Sequence, residues 1–185
     1  QTNNGSYNVF MGYQAGRLNS SGVNNVFIGN QAGEYNTTGN NNVYMGYIAG
    51  NRAADGAYNV FIGPWVAYNT TAPGSFNTFM GYAAGAVNTG SYNTFMGYAA
   101  GMANLGGQNN MFIGYNSGYK NTSGYSNVFL GPRTGYNNVG GYSNVFIGDQ
   151  AGNTNAGGFS NVFIGDQVGF SNTYGYWNVF MGNEA

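Results

Sequence analysis

Asn25-Val26-Phe27-Ile28-Gly29-Asn30-Gln31-Ala32-Gly33 is the stretch that decides the fold, because versions of it recur along the whole chain. Successive copies are 17 residues apart, except for one interval of 18 that is followed by one of 16. The units begin at Asn8, Asn25, Asn42, Asn59, Asn77, Asn93, Asn110, Asn127, Asn144, Asn161 and Asn178. We number the positions of each unit from this Asn, and the consensus is N-[V/T]-F-[M/I]-G-Y-x-A-G-x-x-N-x-x-G-x-x.

Composition excludes several classes of protein. The 185 residues include 34 Gly and only three Pro, which argues against a globular α/β core. Charged residues make up 5% of the chain and the net charge is -1, so we expect no nucleic-acid partner. No apolar run is long enough to span a membrane. Disorder is disfavoured as well, because the 17% of aromatic residues recur in a fixed register.

Catalytic side chains are scarce. The chain has no Cys and no His, so thiolates, imidazole bases and the usual zinc ligands are all missing. The acids fall at different places in the repeat, and they are Glu34, Asp55, Asp149, Asp166 and Glu184. Asp149 and Asp166 share position 6 and should stack, either as a solvated pair or bridged by a cation. We therefore predict a protein that is not an enzyme and needs no cofactor.

Each unit is too short and too rich in glycine for a helix. Gly at positions 5, 9 and 15 would cost a helix about 1 kcal/mol apiece. Positions 2 to 4 have the β-branched and aromatic content of a short strand, and a second short strand is expected around the Gln-Ala-Gly at positions 7 to 9. The N-x-x-G of positions 12 to 15 should form the return turn.

A fixed period of this kind predicts a parallel β-solenoid, or β-roll. Each unit would be one coil, and equivalent strands would stack about 4.8 Å apart, so that ten coils form a rod roughly 50 Å long. Residues 1–185 would then be a single all-β repeat domain. Because the first and last units look like ordinary ones without polar caps, we expect this domain to continue into a longer array.

Stacked coils place identical residues in ladders. The position-3 ladder consists of Phe10, Phe27, Tyr44, Phe61, Phe79, Phe95, Phe112, Phe129, Phe146, Phe163 and Phe180. A ladder of Asn side chains, exemplified by Asn8, Asn25, Asn42 and Asn59, should satisfy its amides by hydrogen bonds between neighbouring coils. The narrow choice at position 3 indicates the interior of the coil, with positions 2 and 4 outside; the reverse assignment is the alternative.

An isolated coil stack would expose an apolar stripe at positions 2 and 4. A stripe about 50 Å long is larger than soluble monomers usually tolerate. We expect copies of the same chain to cover it around a shared axis, as a homotrimer, with dimers or sheet-like assemblies as alternatives.

The units resemble the head repeats of trimeric autotransporter adhesins, the YadA-like heads with their S-V-A-I-G-x-x-S core. They are also similar to the N-T-A-I-G-Y-x-A repeats found upstream of self-cleaving chaperone domains in phage-type tail-fibre proteins. The resemblance covers residues 8–185, although Phe stands where those families usually have Ala. It implies a left-handed, trimeric β-roll that is displayed outside the cell or particle and serves as a stalk or adhesive head.

Two functions from different classes follow. The first is a non-enzymatic structural or adhesive protein of the cell surface, the virion or another extracellular fibre, whose partners are further copies of itself and possible surface glycans. The alternative is a binding module: an ice-binding solenoid or a carbohydrate-binding tail-fibre module. Ice binding would need a flat row of small polar residues, but Thr at position 2 is confined to Thr78 and Thr94.

The unit from Asn59 to Phe76 is the irregular one and is the candidate ligand site. Pro64 and Trp65 replace the usual Tyr-x, and Pro73 adds a residue; we expect both prolines in turns or at a bulge. Trp65, Tyr68, Tyr47 and Tyr82 could form an aromatic platform for a sugar. The alternative is that Trp65 only fills the gap left by the extra residue.

Two further patterns have both a binding and a structural interpretation. Position 6 carries a row of tyrosines, which could contact sugar rings or merely shield the coil or a subunit boundary: Tyr13, Tyr47, Tyr82, Tyr98 and Tyr115. The glycosylation pattern N-x-S/T, which otherwise reflects turn chemistry, occurs at Asn4, Asn19, Asn36, Asn69 and Asn121.

Overall fold

The protein is an all-β solenoid. The computed structural model describes residues 4–72 and 74–185, and Pro73, whose turn was predicted above, lies outside them. Within this part of the chain, eleven three-residue strands form one parallel sheet in sequence order. They are β1 Val9–Met11, β2 Val26–Ile28, β3 Val43–Met45, β4 Val60–Ile62, β5 Thr78–Met80, β6 Thr94–Met96, β7 Met111–Ile113, β8 Val128–Leu130, β9 Val145–Ile147, β10 Val162–Ile164 and β11 Val179–Met181. Across the described residues, no helix has the length and apolar character needed to cross a bilayer.

The strands pair without a slip in register, so each coil stacks position on position. Val26 of β2 pairs with Val43 of β3, and the same positions pair at every later step. The 18-residue coil does not disturb this order, because Val60 still pairs with Thr78 and Thr78 with Thr94. The extra residue is therefore absorbed outside the sheet. Pro64 lies in the turn that follows β4, as expected for a residue that cannot donate to an interior ladder.

The expected second strand around Gln-Ala-Gly is wrong. This segment is a turn in every coil that contains it, and position 7 has a left-handed backbone, with φ of 54° at Gln14 and 56° at Gln31. A left-handed residue cannot continue a strand. The turn nevertheless bonds to its neighbours, because the Gln31 N–H donates to the Tyr13 carbonyl at 2.7 Å. Coils are thus joined through turns as well as through the sheet.

Aromatic rings at position 3 fill the interior of the solenoid. Their centroids are 4.6 to 5.1 Å apart and neighbouring planes lie within 11° of each other. Phe10 and Phe180 are half-buried, and the nine rings between them are fully buried. Position 9 must be small because a Cβ on Gly118 would lie 2.4 Å from the Phe112 ring, and its φ of +58° also favours glycine. Position 3 therefore faces inward, as expected, and the reverse assignment is wrong.

Tyr44 brings a hydroxyl into this aromatic column. The side chain is fully buried, and its hydroxyl makes no hydrogen bond with any described residue. Burial raises the pKa of Tyr44 far above its usual range, and the nearby Asn59 amide offsets only part of that rise. Tyr44 is therefore held in its neutral form without a partner for its polar group.

The asparagine ladder at position 1 is present and bonds between neighbouring coils as expected, mostly through backbone groups. Asn25 Oδ1 accepts a hydrogen bond from the backbone N–H of Asn42 at 3.0 Å, and Asn25 Nδ2 donates to the Gly39 carbonyl at 2.8 Å. Within residues 4–72 and 74–185, direct amide-to-amide bonds join this position only from Asn127 onward, at 3.0 to 3.2 Å. The same bonding to the backbone is made by Asn8, Asn42 and Asn59. Each Asn side chain therefore ties the start of the next coil to the end of its own.

A second asparagine ladder runs at position 12, and here the amides do bond to one another. Asn138 Nδ2 donates to Asn121 Oδ1 at 2.8 Å and to the Gly141 carbonyl at 3.0 Å, while Asn138 Oδ1 accepts from Asn155. The ladder is interrupted where Ala53 and Thr70 occupy this position. As a result, the buried Asn36 Oδ1 finds no hydrogen-bond partner among the described residues.

Candidate functional site

The irregular fourth coil places Trp65 at position 7, on the outer wall of the turn. The indole contacts Tyr47 edge-on, with ring centroids 5.7 Å apart and planes at 70°, and Tyr68 edge-on at 5.1 Å and 82°. Trp65 is only half-buried. Part of the ring therefore remains accessible to solvent.

The tyrosine row at position 6 is continuous over three coils. Tyr82, Tyr98 and Tyr115 stack face to face, with centroids 5.1 and 5.4 Å apart, and each is about half exposed. Tyr47 is separated from this row because Pro64 occupies position 6 of the intervening coil. Tyr13 is followed at the same position by Asn30.

Trp65 and the tyrosine row border one surface groove with a volume of about 490 Å³, which we call the aromatic groove. Small residues at position 7 of two successive coils, Ala83 and Ala99, leave the space. The residues that line it are Trp65, Tyr68, Tyr82, Ala83, Tyr98, Ala99, Met102, Tyr115, Asn116, Tyr119 and Tyr136. Three of the four expected platform residues, Trp65, Tyr68 and Tyr82, line this groove, while Tyr47 only supports Trp65 from the side.

Apart from Tyr68, sequence reasoning missed the opposite wall of the aromatic groove. That wall comes largely from position 10, through Met102, Tyr119 and Tyr136, and the last two stack at 5.0 Å. Position 10 varies strongly along the chain and includes Arg17, Glu34 and Ala86, so the consensus showed nothing there. The available signal was the coincidence of aromatic residues at position 10 with alanine at position 7 in adjacent coils.

The residues that line the aromatic groove carry no formal charge, and its polar groups are hydroxyls and one amide. Asn116 closes one end, and its buried Oδ1 has no hydrogen-bond partner in the described chain. Two cations lie close by: Lys120 Nζ is 5.5 Å from the Tyr136 ring centroid, and Arg133 lines an adjoining cleft of about 310 Å³ together with Asn116. The site is thus a neutral aromatic trough that has basic residues beyond one end.

The acidic residues form no cluster at this groove. Glu34 is buried, and its carboxylate accepts bonds from Arg17 Nη2 at 2.7 Å and from Asn51 Nδ2 at 3.1 Å. The hydrogen bond to Glu34 raises the pKa of Arg17. Asp149 and Asp166 are exposed to solvent, as the solvated-pair interpretation expects. Among the described residues, no group of three or more His, Cys, Asp or Glu side chains is arranged to hold a metal ion.

Three of the five glycosylation patterns are structural. Asn19, Asn36 and Asn121 belong to the position-12 ladder and are almost completely buried, so their amides could not carry a sugar in the folded chain. Asn4 and Asn69 are exposed.

A second candidate surface is the outward side of the sheet. Positions 2 and 4 of β1–β11 are half-buried or exposed and almost entirely apolar, and we call this surface the strand face. Met45 and Met111 on it are 36% and 41% exposed. Over eleven strands spaced by about 4.8 Å, the strand face is about 50 Å long, which agrees with the stripe expected from the sequence.

Comparison with known proteins gave no match, whether to family models, to curated proteins or to solved structures. The aromatic groove and the strand face are therefore the features from which a function can be inferred.

Proposed function

We propose that the chain is a non-enzymatic structural and adhesive solenoid that is displayed at a cell surface, on a virion or in another extracellular fibre. The observation that carries this proposal is the strand face, an apolar surface that a single copy leaves open to water along the whole described stack. A soluble monomer rarely exposes a continuous apolar patch of this length. Three copies packed about a common axis would bury it and leave the turns facing outward.

The position of the aromatic residues supports the adhesive part of the proposal. The strand face is uniform from coil to coil, which suits repetitive packing between copies. The aromatic groove is confined to a few coils and lies beyond the turn that follows the strands, so it would remain available to a partner. One surface would therefore serve assembly and the other recognition.

Light scattering of residues 1–185 at several concentrations tests the assembly. We expect the mass of three chains, and we expect Ile113→Lys combined with Leu130→Lys to reduce it to that of one chain. Both side chains lie at position 4 and are half-exposed in the single copy, so a lysine ammonium can reach water without unfolding the coil.

A matched control is Leu105→Lys combined with Val139→Lys. These residues are 52% and 44% exposed at position 13, away from the strand face, and the control should keep the mass of three chains. A parent protein that remains a soluble monomer with a β-type circular dichroism spectrum would contradict the proposal.

Thermal hysteresis measured on the same samples separates this function from ice binding. The only threonines on the strand face at position 2 are Thr78 and Thr94, and apolar Val or Met occupies the other strands. We therefore expect no thermal hysteresis. A clear difference between the melting and freezing temperatures of the sample would favour the ice-binding alternative.

A further inference from the structure

We propose that the aromatic groove binds a neutral oligosaccharide, with a sugar ring over Ala83 and Ala99 and its edges toward the tyrosines. This inference rests on the proposed adhesive role and specifies the chemical class that the solenoid would recognise. It does not require the trimer, because every residue that lines the groove comes from one chain.

The floor of the groove exists because alanine replaces longer side chains at position 7 of two coils. Position 7 is occupied by long side chains such as Gln31, Ile48 and Gln150 in other coils, but by alanine in two consecutive coils here. Trp65 and Asn116, at position 7 of the coils before and after, close the two ends. The volume of 490 Å³ lies within the range of about 300 to 1,000 Å³ that is typical of small-molecule sites.

The chemistry of the walls matches a sugar better than a lipid or an acidic ligand. Tyr82, Tyr98 and Tyr115 cover each other's ring faces, so they present edges and hydroxyl groups. The ring centroids repeat at 5.1 to 5.4 Å, which is comparable with the length of one pyranose unit. A pyranose offers both hydroxyl groups and apolar C–H faces, and tyrosine and tryptophan can contact both.

The charge of the groove further limits the class of ligand that it can bind. None of the lining residues is charged, so nothing within the groove would pair with a carboxylate, a sulfate or an ammonium group. Two cations lie near the Asn116 end: Arg133 lines the adjoining cleft, and Lys120 Nζ lies over the Tyr136 ring, so an acidic saccharide would bind toward them instead.

The chain offers a built-in reporter for the test, since Trp65 and Trp177 are its only tryptophans. Trp177 is 75% exposed, so Trp177→Phe should fold normally and leave Trp65 as the single source of tryptophan emission. Linear tetrasaccharides of glucose and of N-acetylglucosamine are titrated into this variant. We expect a saturable change in emission with at least one of the two.

A variant in which larger side chains fill the groove then tests whether the saccharide binds there. Ala83→Gln combined with Ala99→Gln introduces glutamine at position 7. Other coils already have glutamine there, at Gln14, Gln31 and Gln150, so the coil should accept it. We expect binding to weaken by at least about tenfold, which corresponds to about 1.4 kcal/mol. Gln31→Ala makes the opposite change at the same position outside the groove, and it should leave the affinity unchanged.

Several results would overturn the inference. These are the absence of a saturable response to either tetrasaccharide, an equal affinity in the filled variant whose circular dichroism matches the parent, and a response confined to a sialylated tetrasaccharide. A change in molecular mass on filling the groove would show instead that it is a contact between copies. The strand-face variant separates the two proposals, because it should lose assembly and still bind the tetrasaccharide.

Discussion

Tyr44 is the residue at which the interior of this solenoid departs from its own pattern. Ten of the eleven coils carry Phe at position 3, whereas Tyr44 adds a buried hydroxyl that has no hydrogen-bond partner among the described residues. Because an unsatisfied buried polar group costs about 1 to 3 kcal/mol, Tyr44→Phe should raise the free energy of unfolding by about 1 kcal/mol or more. Chemical denaturation measures this change. Phe112→Tyr is the reverse substitution, and a gain of stability from it would contradict the argument.

The same residue predicts a dependence of stability on pH. The folded state raises the pKa of Tyr44 above its ordinary value of 10.0, so the side chain stays neutral in the fold but ionises in the unfolded chain. The stability contributed by this difference is fully present below about pH 10 and is lost as the pH rises further, by up to about 1.4 kcal/mol per unit. The Tyr44→Phe variant has no hydroxyl at this position, so it does not lose stability in this way. Its advantage over the parent should therefore be larger at pH 11 than at pH 8, and an equal advantage at both would refute the prediction.

At the scale of the repeated element, the position-12 ladder should depend on its neighbours. Asn138 donates to Asn121 and accepts from Asn155, whereas Asn36 donates to Asn19 but has an unpaired Oδ1 because Ala53 follows it. Asn138→Ala breaks bonds on both sides: Asn121 Oδ1 loses its donor, and Asn155 Nδ2 keeps only its bond to the Gly158 carbonyl. Asn36→Ala breaks bonds on one side only and removes an unpaired acceptor. Asn138→Ala should therefore cost about 1 to 2 kcal/mol more.

Thermal or chemical unfolding of the two alanine variants decides this comparison, since both residues are fully buried at the same position of the coil. Equal losses would mean that the bond Asn138 accepts from Asn155, which Asn36 lacks, adds nothing to stability. Asn42→Ala, in the position-1 ladder, offers a second comparison because its amide bonds to the backbone instead of to another side chain.

The sequence predicts the strands well because their signal is local and repeated. Val-Phe-Ile at positions 2 to 4, closed by glycine, marked all eleven strands and the inward direction of Phe. It did not predict the turn at positions 7 to 9, since Gln14, Ile48 and Trp65 have no special preference for the left-handed backbone that they adopt. Hydrogen bonds from the neighbouring coil stabilise this conformation, and such bonds become visible only when the coils are stacked.

The candidate site was predicted in part for a similar reason. Trp65 and Tyr82 stand out in single coils, one by its rarity and the other by its repetition. The wall formed by Tyr119 and Tyr136 depends on side chains of different coils meeting across Ala83 and Ala99. A consensus averages over such positions, so the groove appears only in three dimensions.

For the whole molecule, the single aromatic column predicts coupling that is strong between neighbours and weak over distance. Phe112 and Phe129 stack with centroids 4.8 Å apart, whereas Phe61 and Phe129 are four coils apart. In double-mutant cycles of Phe→Leu, the first pair should show a coupling energy of about 0.5 kcal/mol or more, and the second should be additive within about 0.5 kcal/mol. Coupling of similar size in both pairs would contradict this prediction and indicate that packing changes propagate along the whole column.

The hydrogen bonds between coils have a mechanical consequence. They join each coil to the next across the strands, so a force that pulls the rod lengthwise loads them one coil after another. Each coil that detaches would release 17 residues, about 60 Å of extended chain, from a rise of about 4.8 Å in the rod. Such a rod would lengthen in steps under tension and absorb work at each one, which is the behaviour of a tether that yields to a sudden pull without breaking.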